Sequence, residues 1–283
     1  MSQEPDMTHY ASQLKKVYPI TIDAIEKAIQ TLAPQPGSMG LDAGCGIGHN
    51  AIRLAQAAGE GARIVGLDTC DEFLSVAREM ADETGVAERC NFQVGDLFHL
   101  PMKDDSFDWL WCKDALWPIP ARDGSSIDYP VKALKGFRRV VKPGGTIAIL
   151  FWTTQVLLPG YPALEARLGV GLANSIPYLK VKKPEQHVMC ALGWLKAAGL
   201  VNTRVDGFAA CTHAPLGEEV KASVDTSLHM FYDDIKPYVS PEDWGVVSNL
   251  MDKNSKDYIV ERPDYHCLLS YSMFRGETPE KKL

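Results

Sequence analysis

The chain has 283 residues, 46% of them hydrophobic and 23% charged, with 18 Pro and 23 Gly. That composition excludes collagenous, disordered and disulfide-scaffold classes, and at about 150 residues per domain the length allows one or two domains. Lys plus Arg number 29 against 36 Asp plus Glu, a net charge of −7, so the chain lacks the broad electropositive footprint of a nucleic-acid binder. The seven cysteines (Cys45, Cys70, Cys90, Cys112, Cys190, Cys211 and Cys267) are odd in number and form no C-x-x-C pair. Reduced thiols in a cytoplasmic protein, with no zinc knuckle and no metal site, are therefore expected. Met1 to Asp6 is polar and does not read as a signal peptide. No apolar run approaches the roughly 18 residues that a membrane span needs.

Taken in chain order, residues 21–32 place Ile22, Ile25, Ile29 and Leu32 on one helical face, with Thr21 as the expected N-cap. Pro19 should break whatever helix carries Leu14 and Val17. After the turn-rich Pro34 to Gly37, strand and helix signals alternate. Strands are predicted over 39–43, 62–68, 90–94, 108–112 and 146–152. Helices are predicted over 51–58, from a Thr69/Glu72 capping box onward, and over 130–142. A helix over 184–198, a strand over 201–210 and a last strand over 265–275 complete the pattern. Such alternation predicts an α/β fold, a doubly wound parallel sheet covered on both faces. Two segments, 153–183 and 213–264, are too long for plain connections and carry helical patterns. They are expected either to lie over the sheet as a lid or to pack peripherally. The expected organisation is thus one domain: an N-terminal helical cap (1–38), a core (39–152), the two insertions, and the end of the sheet in 184–212 and 265–275.

The sharpest motif is Leu41-Asp42-Ala43-Gly44-Cys45-Gly46-Ile47-Gly48, between a predicted strand and a predicted helix. Glycines at alternate positions permit a tight turn and close approach of a ligand. His49 stands where a dinucleotide G-x-G-x-x-G would need its last glycine. Asp42, just before the turn, is expected to point a carboxylate into the crevice, repelling a pyrophosphate and holding an ammonium. Asp68 ends the second strand, 20 residues after Gly48, and suits a ribose. Asp96 ends the third strand and suits an adenine amino group, with the Leu97 N–H donating to the ring. An ammonium, a ribose and an adenine without phosphate describe S-adenosylmethionine.

With these residues, Gly95 to Pro101, Asp104 to Asp108 and Phe137 to Gly145, the region 39–152 resembles the class I S-adenosylmethionine-dependent methyltransferases. The resemblance is to their small-molecule branch, which includes quinone- and sterol-methylating enzymes. It implies a Rossmann-like seven-stranded sheet with the last strand antiparallel. It also implies cofactor contacts from Asp42, Gly44, Gly46, Gly48, Asp68, Thr69, Asp96 and Leu97 and from the backbone around Lys113. Cys45 belongs to the same turn, as a small filler and not a nucleophile. Tyr10 lies in the region that often closes over the methionine end, and His99 is expected to pack beside the adenine.

Methyl transfer needs alignment and exclusion of water, and a base only where the acceptor must lose a proton. Asp114 is the candidate base or acceptor-orienting group. Trp117, leading into Pro118-Ile119-Pro120, and Trp152 are the candidate acceptor-binding residues. The chain lacks the Asn/Asp-Pro-Pro-Tyr/Phe pattern of amino-methylating enzymes of this fold and has no Pro-Cys pair. A small-molecule acceptor is expected, with no nucleic-acid partner. Two alternatives remain open at this point: a fold relative that binds the cofactor without transferring methyl, and a nicotinamide-dependent oxidoreductase.

Overall fold

The computed structural model describes residues 7–117, 129–176 and 183–281. Its centre is a seven-stranded sheet of order β3-β2-β1-β4-β5-β7-β6. The strands are β1 (Met39–Ala43), β2 (Arg63–Asp68), β3 (Cys90–Val94), β4 (Phe107–Lys113), β5 (Val141–Val156), β6 (Val201–His213) and β7 (His266–Glu277). The first five pair in parallel, while β7 runs antiparallel to both β5 and β6. Trp109, Leu110, Trp111 and Cys112 in β4 are all buried. A continuous apolar run of this kind is what a central parallel strand, covered on both faces, requires.

Each face has its own core. Helices α2 (Ile22–Leu32), α3 (His49–Ala58) and α4 (Asp71–Glu83) cover one, where Ile25, Ile29, Leu54, Leu74 and Trp111 pack together. Helices α5 (Tyr129–Val140) and α7 (Ala191–Ala197) cover the other, around Leu110, Phe137, Ile149 and Leu195. A third core joins α6 (Pro162–Ser175), α8 (Glu218–Tyr232) and α9 (Pro241–Met251) to the overhanging ends of β5 and β7. It contains Leu157, Leu168, Leu228, Val247 and Leu269. The N-terminal helix α1 (Met7–Val17) packs on α8, and the Ser223 hydroxyl donates to the Lys16 carbonyl.

Local chemistry corrects several boundaries. Thr21 occupies the N-cap position of α2 without capping it, because its hydroxyl donates to the Tyr18 carbonyl at 2.9 Å. Pro19 stands in a 3₁₀ turn over Tyr18–Ile20, and α1 stops before it. The Thr69/Glu72 capping box does not form. Cys70 is the N-cap of α4, and its N–H is taken by Asp68 Oδ1 at 3.1 Å. Helix α5 ends at Val140, not 142, because Val141 pairs with Phe107 before a register break carries β5 onward. The expected 184–198 helix is instead two 3₁₀ turns followed by α7. Trp194 Nε1 clamps the first turn through the Glu185 carbonyl at 2.8 Å, and His187 Nδ1 accepts from the Met189 N–H in the second. Pro118, Ile119 and Pro120 lie outside the described residues.

Candidate functional site

The chain reverses from β1 into α3 through Gly44, Gly46 and Gly48, with φ of 79°, 52° and 83°. That left-handed region is costly for any residue with a Cβ. The turn is tied to β2, since the Gly44 and Cys45 N–H groups donate to the Leu67 carbonyl at 2.7 and 2.9 Å. Asp68 then reaches back, its Oδ2 accepting the Gly46 N–H at 2.8 Å. Two lone-pair directions on that carboxylate stay available to a ligand. A Cβ built on Gly46 would meet no protein atom within 4 Å, so the space above the turn is open to a ligand.

That space is one end of a cleft of about 480 Å³. Gly44, Cys45, Gly46, Ile47, Asp68 and Phe73 line this end. Tyr10 and Leu14 of α1 line it too, and the Tyr10 ring lies 6.0 Å from Phe73. The far end is aromatic and sulfur-rich, lined by Trp117, Trp152, Phe231, Tyr271, Met189 and Met230. Trp152 packs against Phe231 and Tyr271 at 4.9 and 5.6 Å. Trp117 lies against Phe151 at 5.2 Å.

Lys113 and Asp114 join the two ends. Asp114 has φ 50°; its N–H donates to the Leu150 carbonyl at 2.9 Å. Its Oδ1 accepts the Trp152 N–H at 2.8 Å, and its Oδ2 accepts from Lys113 Nζ at 2.7 Å. The Lys113 ammonium also lies 4.8 Å from the centre of the Tyr271 ring. Burial disfavours that charge, yet Asp114 and Tyr271 outweigh it and hold the ammonium above its usual range. Asp114, expected as a base or an acceptor-orienting group, thus has both oxygens engaged within the protein.

Other expected residues lie elsewhere. Asp42 is fully buried and lies outside the cleft lining, and neither of its oxygens has a hydrogen-bond partner. Burial, aided by Asp68, pushes its carboxyl up to about 7. This corrects the picture of Asp42 as a carboxylate open to the crevice. Gly48, Thr69, Asp96 and Leu97 also lie outside the lining, although Asp96 does follow β3 at the same sheet edge. Asp96 Oδ1 accepts the Phe98 N–H at 2.9 Å, and its Oδ2 lies 2.8 Å from His99 Nδ1. His99 thus pairs with Asp96. The burial of the Cys45 side chain (5% exposed) and the upward shift that burial gives its thiol suit a filler. Among the described residues no cluster of His, Cys, Asp and Glu could hold a metal. No described helix is long and apolar enough to cross a membrane.

Tyr18, His49, Asn50, Met189, Met230 and Phe231 also line the cleft, and sequence reasoning assigned them no role. The sequence reading used His49 only as the residue that breaks a dinucleotide glycine motif; the others carry no motif.

The sheet order, with β7 antiparallel to its neighbours, and the glycine turn after β1 are those of a Rossmann-like methyltransferase fold. Residues 35–165 match the family model described as a methyltransferase domain. Methyltransferase GfsG of Streptomyces halstedii is 34% identical over 124 residues, 44% of this chain and 41% of that protein. The demethylmenaquinone methyltransferase of Bacillus velezensis is 35% identical over 125 residues, 44% of this chain and 50% of that protein. The chain thus spans half or less of these curated relatives. Among solved structures, phosphoethanolamine N-methyltransferase 2 of Haemonchus contortus superposes with a TM-score of 0.57 at 17% identity. The match covers 99% of this chain and 59% of that one, which was solved with phosphomonomethylethanolamine and S-adenosylhomocysteine. At that identity the likeness is one of fold.

Proposed function

We propose that the protein transfers a methyl group from S-adenosylmethionine to a small-molecule acceptor. The observation that carries this reading is the continuity of the cleft: one cavity begins at the glycine turn and Asp68 and ends among Trp152, Phe231 and Tyr271. Its volume is in the range of sites that enclose drug-sized ligands. The residues fit the cofactor. Gly44 and Gly46 leave room for close approach, Asp68 offers lone pairs to ribose hydroxyls, and Tyr10 and Phe73 supply apolar cover. Asp96 and Leu97 continue this site along the sheet edge toward the adenine. Bound there, S-adenosylmethionine supplies a methyl on a sulfonium that leaves as a neutral thioether. Alignment and dryness are what remain for the protein to provide. Helices α1 and α8 roof the cleft, and Trp152 is held by the Asp114–Lys113 pair, so the acceptor is oriented by a fixed wall. We read the chain as one domain, with 153–183 and 213–264 shaping the acceptor end.

Calorimetry should show binding of S-adenosylmethionine and none of NAD; the reverse would sink this reading. Labelled methyl from S-adenosylmethionine should then appear in a component of a metabolite extract, identified by mass spectrometry. Binding without transfer would mark a non-catalytic relative. Asp68→Asn should weaken S-adenosylhomocysteine binding by about 1–3 kcal/mol, since a charged acceptor is lost from the ribose contact. Unchanged affinity would remove Asp68 from the site.

A further inference from the structure

The far end of the cleft has a floor of strands. There Trp152 pairs with Tyr271, and Gln155 with Leu269, in the β5–β7 ladder. Partners across an antiparallel ladder share a face, as do Leu269 and Tyr271 two residues apart. The register break between Trp152 and Thr154 brings Gln155, three residues on, to the same face as Trp152. Phe231 of α8 packs on Trp152, and Gln155 lines the cleft with both. Trp152 Nε1 donates to Gln155 Oε1 at 3.0 Å. An indole N–H can only donate, so the amide is fixed with its oxygen used and its NH₂ left over. Among the described residues that Nε2 group has no hydrogen-bond partner, and it is not sealed from solvent.

Resting on the methyl-transfer reading above, we propose that Gln155 is a specificity-determining residue, donating through Nε2 to an oxygen on an uncharged, otherwise apolar acceptor. An amide NH₂ offers hydrogens and no lone pair, so it suits a carbonyl, ether or hydroxyl oxygen and has nothing for an ammonium. The other polar groups on the floor are already engaged. Trp117 Nε1 donates to the Asp114 carbonyl at 2.7 Å, and the Thr153 hydroxyl to Ser272 Oγ at 2.8 Å. Charge is absent in the same sense. Among the described lining residues the only Asp, Glu, Lys and Arg are Asp68, at the cofactor end, and Lys113 and Asp114. Those last two face each other at 2.7 Å, and the Lys113 ammonium already lies against the Tyr271 ring. An ionised acceptor would exchange water for Trp152, Phe231, Met189 and Met230 without a free counter-charge, a loss that a neutral one avoids. In an apolar site of this kind a few placed polar groups set orientation and selectivity, and Gln155 is placed to be one.

Two variants separate this contact from mere support of Trp152. Gln155→Glu keeps an oxygen for Trp152 Nε1 but replaces the NH₂ with a second accepting atom; Gln155→Met removes both. On the full chain, S-adenosylhomocysteine affinity is measured by calorimetry. Labelled methyl is followed from S-adenosylmethionine into a metabolite extract, the product is identified by mass spectrometry, and KM and kcat are measured with its unmethylated precursor. The expected result is an uncharged, oxygen-bearing precursor whose KM rises about tenfold or more in both variants. Values of kcat and S-adenosylhomocysteine affinity should stay within about threefold of the parent protein. A precursor that is charged at pH 7, or that lacks such an oxygen, overturns the proposal. So does an unchanged KM in Gln155→Glu, which would leave Gln155 as a prop for Trp152 alone. A loss confined to kcat, or S-adenosylhomocysteine affinity falling in step with KM, also overturns it. Failure of the parent protein to bind S-adenosylmethionine, or to label any component, instead overturns the methyl-transfer reading itself.

Discussion

Lys113→Met should destabilise the fold by about 3 kcal/mol, the low end of the cost of breaking a buried ion pair. The low end applies because 17% of the Lys113 and 23% of the Asp114 side chain remain exposed. The substitution strands the Asp114 carboxylate, whose remaining partner is the Trp152 N–H at 2.8 Å. Asp114→Asn strands the ammonium over the Tyr271 ring instead, where the contact at 4.8 Å is a partial substitute. The double variant, with neither charge left unpaired, should be less destabilised than the two single losses summed, by about 1–3 kcal/mol of coupling. Denaturant unfolding of the four proteins measures this cycle, and strict additivity would show that the pair is not coupled. The pH dependence has a definite sign. A lysine held above its usual range contributes stability that is whole below the unfolded value, about 10.4, and that is lost only as pH rises through the higher folded value. The difference between parent and Lys113→Met should therefore stay flat from pH 6 to pH 9.

The glycine turn and the sheet were legible because their signals are local and their physics is steric. Gly44, Gly46 and Gly48 all have positive φ, and β4 is buried on both faces, as its apolar run required. Other features depend on partners distant in the chain. Asp42 reads from sequence as a carboxylate open to ligand, but the β1–α3 junction closes over it and leaves it fully buried. Asp114 reads from sequence as a base or an acceptor-orienting group, and the Trp152 N–H that occupies one of its oxygens comes from 38 residues away. The roof was the least legible part. Phe231 and Met230 reach the cleft from α8, whose inner face also buries Ser223, Asp225 and Ser227. A face that mixes polar and apolar residues has no clean period to read. The 3₁₀ turns before α7 were hidden for the reverse reason: their apolar residues imitate a helical face, and only the Trp194 clamp on the Glu185 carbonyl shows otherwise.

Gly46→Ala and Gly44→Ala should separate ligand space from protein packing. Both residues have left-handed φ, so alanine at either position carries backbone strain of about 1–2 kcal/mol. A Cβ at Gly44 would lie 2.3 Å from the Ala115 Cβ, adding an overpacking cost of about 1–3 kcal/mol. Gly44→Ala should therefore lose both stability and S-adenosylhomocysteine binding. At Gly46 the new methyl meets no protein atom within 4 Å and projects from the cleft lining into the space assigned to the cofactor. Gly46→Ala should stay folded, with only the strain cost in its unfolding free energy, while S-adenosylhomocysteine affinity falls at least tenfold, roughly 1.4 kcal/mol or more. Gly37 is the control, with φ 74°, an equally open Cβ position and a place outside the cleft. Gly37→Ala should pay the same strain and leave affinity unchanged. Equal affinities in the Gly46 and Gly37 variants would mean that the opening above the turn is not where the cofactor lies.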